Sequence, residues 1–437
     1  MNIYLVIILA ILAGGYFLEL IVEGLNLKRI SPILPKEFAN FYDAGKAPPS
    51  KVLGGPILVD KYKQSQDYLK ENTRFKLTQG AVFTVVTVAF ILIGGFNFVD
   101  KLARSFSQGS ILTGLFFAGI LMFSSQALAI PFSAYHTFVI EEKYGFNKTT
   151  VKTFIADILK GWFIGAIIGA IVLAFIIWFF TVAGIFGWLY CWAAITLFQL
   201  FLTFVSPVLI LPLFNKFIPL EEGELKRAIQ EYAASRNFKL QGIFKIDASR
   251  RSTKSNAFFT GFGKFRRIAL FDNLIKKHTT AELVSVLAHE IGHYEKKHIT
   301  KRLMFSFITT GLAFLLLSFF INNPGLFSAF RMNEFSICAS LFFFALLYEP
   351  INFIFSALGN IISRRQEYQA DRFAVSTYLC PQDFIVALKK LTVDNLSNLT
   401  PHPLKVFLHY SHPPVLARIK AIRGLLRSIG HRQATAP

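Results

Sequence analysis

The stretch from Leu283 to His298 reads LVSVLAHEIGHYEKKH and carries the pattern H-E-x-x-H. Residues four apart on an α-helix differ by about 40° around the helix axis, so His289 and His293 share one face and can bind a single metal ion. Glu290 follows the first histidine and can polarise a water molecule bound to that ion. The stretch therefore predicts a metal site on one turn of a helix.

Two patterns next to this motif predict that it is helical. Thr279 and Glu282 match a capping box, and the small residues Ala288 and Gly292 let another element approach closely. An apolar stripe at helical spacing consists of Leu283, Val286, Leu287, Ile291 and Tyr294. H-E-x-x-H on a helix is the signature of zinc proteases, with two histidine ligands and a glutamate general base. The same pattern also occurs by chance, and a membrane protein can carry histidine at a helix end for packing, so both interpretations stay open.

The composition is that of a membrane protein. The chain has 437 residues, of which 53% are hydrophobic and 49 are Phe, and its mean hydropathy is +0.48. Lys and Arg total 46 against 26 acidic residues, and they lie between the apolar runs, which indicates membrane topology and not a nucleic-acid partner. The three cysteines, Cys191, Cys338 and Cys380, have no short spacing. They form neither a disulfide framework nor a cysteine zinc site, so the ligands of any zinc must be histidine and carboxylate.

Seven apolar runs predict seven transmembrane helices. The first run has no basic n-region and no clear cleavage site, so we expect a retained helix and not a signal peptide. The predicted spans cover approximately residues 2–24, 79–99, 111–132, 161–186, 188–211, 303–321 and 335–358. The loops after spans one, three and five and the C-terminal tail are rich in Lys and Arg, whereas the other loops are not. This alternation predicts that the motif and the tail lie on the cytosolic side.

The polar segment ahead of the motif predicts a small α+β region. It begins with an amphipathic helix around Glu221 to Arg236. Asn256 to Phe259 and Phe265 to Phe271 are predicted strands, joined by a glycine-rich turn at residues 261–263. An exposed strand edge can bind an extended peptide through backbone hydrogen bonds, and a plain structural hairpin explains the pattern equally well.

A second stretch, SRRQEYQADRFAV at residues 363–375, can complete the metal site. Glu367 and Asp371 are four apart and share a helical face. A zinc site with two histidines needs a third protein ligand, which is usually a carboxylate when thiols are absent. Asp371 could accept the other ring N–H of a ligating histidine. Three arginines flank these acids, so a solvated charged helix is the alternative.

Five motifs in this order resemble the CAAX prenyl protease 1 family over nearly the whole chain. They are IEEKYGFN after span three, SNAFFTGFGK, HEIGH, EYQAD two spans later, and YSHPPVLARI near the end. Members of that family are seven-span zinc metalloendopeptidases of the gluzincin type. The resemblance implies a mainly α, multi-pass fold, with seven transmembrane helices around a chamber and a small cytosolic α+β zinc-protease region that contains a β-hairpin.

The resemblance also implies a role for each matching residue. By this resemblance His289, His293 and Glu367 bind zinc, Glu290 activates the water molecule, and Asp371 supports a ligand. Asn256 binds the substrate backbone. His412 and Arg418 stabilise the oxyanion or the substrate carboxylate. His298 follows His293 by five residues, which on a continuous helix places it about 140° away. We expect His298 to be a structural or surface residue.

The expected function is peptide-bond hydrolysis by zinc-activated water in a multi-pass membrane protein. The substrate is a peptide or protein, either a prenylated one that loses its C-terminal tripeptide or a membrane protein under quality control. Two alternatives remain. An HtpX-type quality-control protease has the same chemistry but is shorter and has fewer spans, and a transporter or scaffold with a fortuitous motif is the non-enzymatic alternative.

The compact polar segments favour a bacterial inner membrane, with the endoplasmic reticulum expected in a eukaryote. The predicted domain ranges are 1–211 (spans one to five), 212–302 (catalytic segment), 303–358 (spans six and seven) and 359–437 (cytosolic tail).

Overall fold

The computed structural model describes residues 2–42, 60–107, 109–260, 267–378 and 380–434. Most of them are helical, because a helix satisfies the backbone polar groups of a long apolar run within the run itself. In chain order the helices are α1 (Ile3–Lys28), α2 (Ala39–Tyr42), α3 (Asp60–Leu92), α4 (Gly95–Phe106), α5 (Ser110–Tyr135), α6 (Val151–Val182), α7 (Gly187–Val205), α8 (Leu211–Phe214), α9 (Glu224–Ser235), α10 (Asp272–Lys277), α11 (Thr280–Glu295), α12 (His298–Ser318), α13 (Pro324–Ala329), α14 (Ile337–Thr377), α15 (Pro381–Asp394), α16 (Pro403–His409) and α17 (Val415–Ala434). The remaining helical turns are π-helical at His136–Glu141 and Ser206–Ile210, and 3-10 at Lys36–Phe38, Gly184–Phe186 and Ala248–Arg250.

Seven of the described helices are long and apolar enough to cross a membrane, which confirms the predicted number of spans. They are α1, α3, α5, α6, α7, α12 and α14. The second span differs from the predicted range, because α3 begins at Asp60 and ends at Leu92. Gly94 has a left-handed backbone conformation (φ +78°) that stops the helix, and the residues up to Phe106 form the separate helix α4.

The seventh span is longer than the sequence predicts. The apolar run ends near residue 358, but α14 continues as one helix of 41 residues to Thr377. The predicted domain boundary at 358 therefore falls inside a helix. As a result, the EYQAD stretch is attached rigidly to a membrane span instead of starting a separate tail.

The seven spans form a closed ring. Consecutive spans in the order α5, α6, α7, α12, α14, α1 and α3 pack against one another, and α14 also packs against α5 and α6. The contact between α3 and α5 includes the rings of Phe83 and Phe132, 5.9 Å apart. In six of the spans at most 11% of the most apolar window is buried, whereas a helix inside a solid bundle is buried all round. Most residues in these windows are therefore not enclosed by other parts of the chain, as expected for helices that contact lipid.

Apolar clusters close the two ends of this ring. Ile8, Ile91, Phe117, Leu326 and Phe343 belong to one cluster, which joins α1, α3, α5, α13 and α14 at the end away from α11. The other cluster joins α9, α11, α15, α17 and the sheet, and includes Ile229, Leu270, Leu287, Phe384 and Ile422. The second cluster is the core of the region that carries the H-E-x-x-H motif.

A four-stranded sheet packs into that core. The strands are β1 (Phe217–Pro219), β2 (Gly242–Ile246), β3 (Ala257–Thr260) and β4 (Arg267–Phe271), in the order β1-β2-β4-β3. β3 and β4 are antiparallel, as the sequence predicts, whereas β2 and β4 are parallel. The predicted turn at 261–263 lies outside the described residues. β3 is an edge strand, so its outer backbone groups have no strand partner among the described residues.

Candidate metal centre

Helix α11 begins at the predicted capping box. Thr279 Oγ1 accepts a hydrogen bond from the Glu282 backbone N–H, and the Glu282 carboxylate accepts one from the Thr279 N–H, both at 3.3 Å. Lys390 of α15 donates to both oxygens of the Glu282 carboxylate, at 2.7 and 2.8 Å. The capping box and the ion pair with Lys390 together fix the start of α11. The orientation of the helix in turn fixes the face on which His289 and His293 lie.

Gly292 allows α14 to pack closely against α11. A methyl group at Gly292 would lie 3.1 Å from the Cα atom of Ala370 and 3.1 Å from the Cβ atom of Phe373. Ala370 lies between Glu367 and Asp371 in the sequence. The close approach of the two helices therefore brings both carboxylates of α14 to the histidine face of α11.

Three side chains converge as the sequence predicts. His289 Nε2 and His293 Nε2 are 3.1 Å apart, and oxygens of the Glu367 carboxylate lie 3.4 Å from the first and 3.3 Å from the second. A tetrahedral zinc site with bonds of about 2.0–2.1 Å has ligand-to-ligand distances of roughly 3.3 Å. Glu367 is 1% exposed, and its Oε2 atom has no hydrogen-bond partner among the described residues. The three residues fit a metal ion in both spacing and chemistry.

Asp371 orients the first histidine. Its Oδ1 atom lies 2.8 Å from His289 Nδ1, so the ring donates Nδ1–H to the carboxylate and directs Nε2 at the other ligands. Arg418 donates to both oxygens of Asp371, from Nε at 2.8 Å and from Nη2 at 2.5 Å. Such a two-point ion pair is rigid, and it holds Asp371 against His289.

His298 supports the second histidine, which the sequence analysis did not anticipate. Its Nδ1 atom is 2.9 Å from His293 Nδ1, and its Nε2 atom is 2.9 Å from Gln369 Oε1. His298 is only 1% exposed, so the surface alternative is wrong. The 140° extrapolation fails because α11 stops at Glu295 and Lys297 turns the chain with a left-handed φ of +55°. No local sequence pattern indicates that the chain turns back so that His298 contacts His293.

Burial and charge shift the pKa values of two residues on α11. Burial lowers the pKa of His289, but hydrogen bonds to the Asp371 and Glu367 carboxylates outweigh it and raise the pKa to about 9. Burial raises the pKa of the Glu290 carboxyl above its usual value, and the two neighbouring histidines oppose this shift in part. A carboxylate with a raised pKa is a stronger proton acceptor, as a general base requires.

The remaining predicted residues lie at the open side of the centre. His412 Nε2 is 3.4 Å from Glu367 Oε1, and the His412 side chain is 65% exposed. Asn256 precedes the edge strand β3, which lies against α11. The Asn256 side chain is exposed, and its only hydrogen bond among the described residues goes to the adjacent Ala257 N–H, at 2.9 Å. Asn256 thus stands at the strand edge and not in the cluster of ligands.

Two family models match consecutive parts of the chain. A model described as CAAX prenyl protease N-terminal, five membrane helices, matches residues 37–216. A model described as Peptidase family M48 matches residues 219–426, which include every residue of the candidate centre.

Similar proteins cover most of the chain. The probable CAAX prenyl protease 1 of Schizosaccharomyces pombe is 36% identical over 388 residues, which cover 86% of this chain and 82% of that protein. CAAX prenyl protease 1 of Saccharomyces cerevisiae is 32% identical over 431 residues, covering 92% and 95%. The crystal structure of S. mikatae Ste24p superposes with a TM-score of 0.86 at 31% identity, covering 97% of this chain and 99% of that one.

A seven-span ring, with an H-E-x-x-H helix and a glutamate from the last span meeting at one end, defines a membrane zinc metalloprotease. Neither a transporter nor a scaffold is supported by these matches. The chain belongs to the CAAX prenyl protease 1 family, within peptidase family M48.

Proposed function

We propose that the chain is an endopeptidase that hydrolyses peptide bonds with one zinc ion, held by His289, His293 and Glu367. The observation that carries this proposal is the convergence of these three side chains. The two Nε2 atoms are 3.1 Å apart, and the Glu367 carboxylate lies 3.4 Å from His289 through Oε2 and 3.3 Å from His293 through Oε1. The positive charge of the loops that follow spans one, three and five supports a site at the cytosolic face, in a bacterial inner membrane or the endoplasmic reticulum.

Each polar side chain around the ligands has a distinct part in the reaction. Zinc, when bound, polarises the scissile carbonyl and acidifies water. Glu290 accepts the proton of the attacking water and donates it to the leaving amine. His412 donates a hydrogen bond to the oxyanion, a contribution of about 3 kcal/mol for a single donor. Asp371 and Arg418 keep His289 in the tautomer that leaves its Nε2 atom free.

The proposed substrate is a prenylated protein with a C-terminal C-a-a-X sequence, from which the last three residues are released. The names of the similar proteins support this class. The test is cleavage of a farnesylated C-a-a-X peptide and of its unprenylated twin by the purified protein. We expect chelator-sensitive release of the tripeptide from the farnesylated peptide. Equal cleavage of the twin would favour quality control, and cleavage of neither peptide by zinc-loaded protein would refute the proposal.

Zinc binding is expected to release a proton from His289. The pKa of His289 is raised to about 9 in the metal-free protein, so the imidazole is protonated at pH 7 and must lose that proton to become a ligand. Zinc affinity should therefore rise with pH through neutrality and level off above about pH 9. Titration calorimetry in buffers of different ionisation enthalpy measures the proton count. Release of about one proton per zinc at pH 7 is predicted, and no release would contradict the assignment.

Replacing His298 should weaken zinc binding although His298 is not a ligand. Loss of a residue that orients a ligand usually lowers metal affinity about 10- to 100-fold. We expect a decrease of this size for His298→Ala in competition with a chelator. The matched control is His278→Ala, which removes a buried histidine that bonds only to the Leu274 carbonyl among the described residues. Equal affinities for both variants would show that the 2.9 Å contact with His293 does not matter.

A further inference from the structure

A cavity of about 800 Å³ adjoins the metal centre, within the range typical of ligand sites. On one side it is lined by His412 and Arg418. On the other side it is lined by Lys76 of α3, by His136 of the π-helical turn after α5, and by Lys254. The cavity therefore extends from the proposed reaction centre towards the end of span three.

The lining of this cavity is basic. Its charged side chains are Lys76, Lys254 and Arg418, and no Asp or Glu lines it among the described residues. Arg418 is committed to Asp371, whereas Lys76 forms no ion pair within the described part of the chain. The cavity is thus suited to an anion.

Lys254 is held in place before any ligand binds. Its Nζ atom donates to Glu141 Oε2 at 2.7 Å and to the Tyr68 hydroxyl at 2.9 Å, and it lies 4.4 Å from the centre of the Phe146 ring. An ammonium group has three donors, so one remains for a ligand in the cavity. An anchored donor loses little side-chain entropy on binding.

The IEEKYGFN stretch provides this anchor and also fixes the chain that leads to β3. The Thr253 N–H donates to the Phe146 carbonyl and the Lys148 N–H donates to the Arg251 carbonyl, each at 3.0 Å. Glu141 and His136 belong to a π-helical turn, a rare conformation that is frequent at functional sites. The stretch therefore ties Lys254 to the end of span three.

We propose that Lys254, together with Lys76, binds the free C-terminal carboxylate of the peptide substrate. This inference rests on the proposed function. A peptide that adds antiparallel to the edge strand β3 points its C-terminal end past Asn256 towards Lys254. Lys254 lies two positions before Asn256, about 7 Å along an extended chain. If Asn256 holds the first residue after the scissile bond, the carboxylate of the third residue reaches Lys254.

The test compares a farnesylated peptide that has a free C-terminal carboxylate with its C-terminal amide. Wild-type protein should cleave the acid about 10- to 100-fold more efficiently in kcat/KM, the usual contribution of a hydrogen bond between charged groups. Lys254→Met should bring the ratio of acid to amide close to one, and Lys76→Met should lower it. The second variant matters because Lys76 has no ion-pair partner among the described residues, so its removal leaves no carboxylate unpaired. Lys405→Met is the matched control, since Lys405 pairs with Glu19 and Glu23 outside the cavity.

Binding of the same two peptides to zinc-loaded Glu290→Gln protein separates this inference from the proposed function. Tighter binding of the acid without hydrolysis by the wild type would support the subsite and refute the peptidase. Equal loss of acid and amide cleavage in Lys254→Met would indicate a purely structural role and overturn the inference. Wild-type protein that does not distinguish acid from amide in either assay would also overturn it.

Discussion

Changing Glu290 to Gln is expected to abolish peptide hydrolysis while one zinc ion stays bound. The amide keeps the shape of the side chain but cannot accept a proton from the attacking water. Loss of general acid–base catalysis usually lowers kcat by about 10²- to 10⁴-fold. The zinc content of the purified variant, measured by mass spectrometry, should equal that of the wild type because Glu290 is not among the three residues that fit the ion.

A second glutamate on the same helix provides the control. Glu295 lies in the last turn of α11 and is exposed, so Glu295→Gln should leave both kcat and zinc content unchanged. Glu290→Gln protein with wild-type kcat would remove Glu290 from the mechanism. Loss of zinc in that variant would instead show that the side chain supports the ion.

Changing Glu367 to Ala is expected to remove zinc from the purified protein. Structural zinc sites bind with roughly 10–16 kcal/mol, so one ligand of four accounts for about 2.5–4 kcal/mol. This corresponds to a loss of affinity of about 10²- to 10³-fold, and activity should fall with zinc occupancy. Added zinc should restore part of the occupancy, because His289 and His293 remain on α11.

The matched control for this variant is Glu231→Ala, which removes an exposed glutamate from α9. That variant should keep one zinc ion per chain. Unchanged zinc stoichiometry in Glu367→Ala protein would mean that α14 contributes no ligand.

Hydropathy and spacing suffice to predict the number of spans and the convergence of the three candidate ligands. The number of membrane helices follows from the apolar runs, and His289 and His293 share a face because they lie one helical turn apart. Glu367 is separated from them by two spans. The predicted topology nevertheless places it on the same side of the membrane as the two histidines, because two crossings return the chain to that side. Charge alternation and helical periodicity are local signals, and these parts of the fold depend on them.

Other features depend on contacts that no local signal encodes. The parallel pairing of β2 with β4 joins strands about 25 residues apart in a mixed sheet. The return of His298 to His293 depends on one left-handed residue, Lys297. Likewise, the role of Gly292 depends on the backbone of α14, 78 residues further along the chain. Each arises from tertiary packing.

Anomalous diffraction at the zinc edge from crystals of the purified protein is the measurement closest to the central claim. One peak is predicted, about 2.0–2.2 Å from His289 Nε2, from His293 Nε2 and from a carboxylate oxygen of Glu367. A peak next to other side chains, or no peak between these three residues in zinc-loaded and catalytically active protein, would contradict the account.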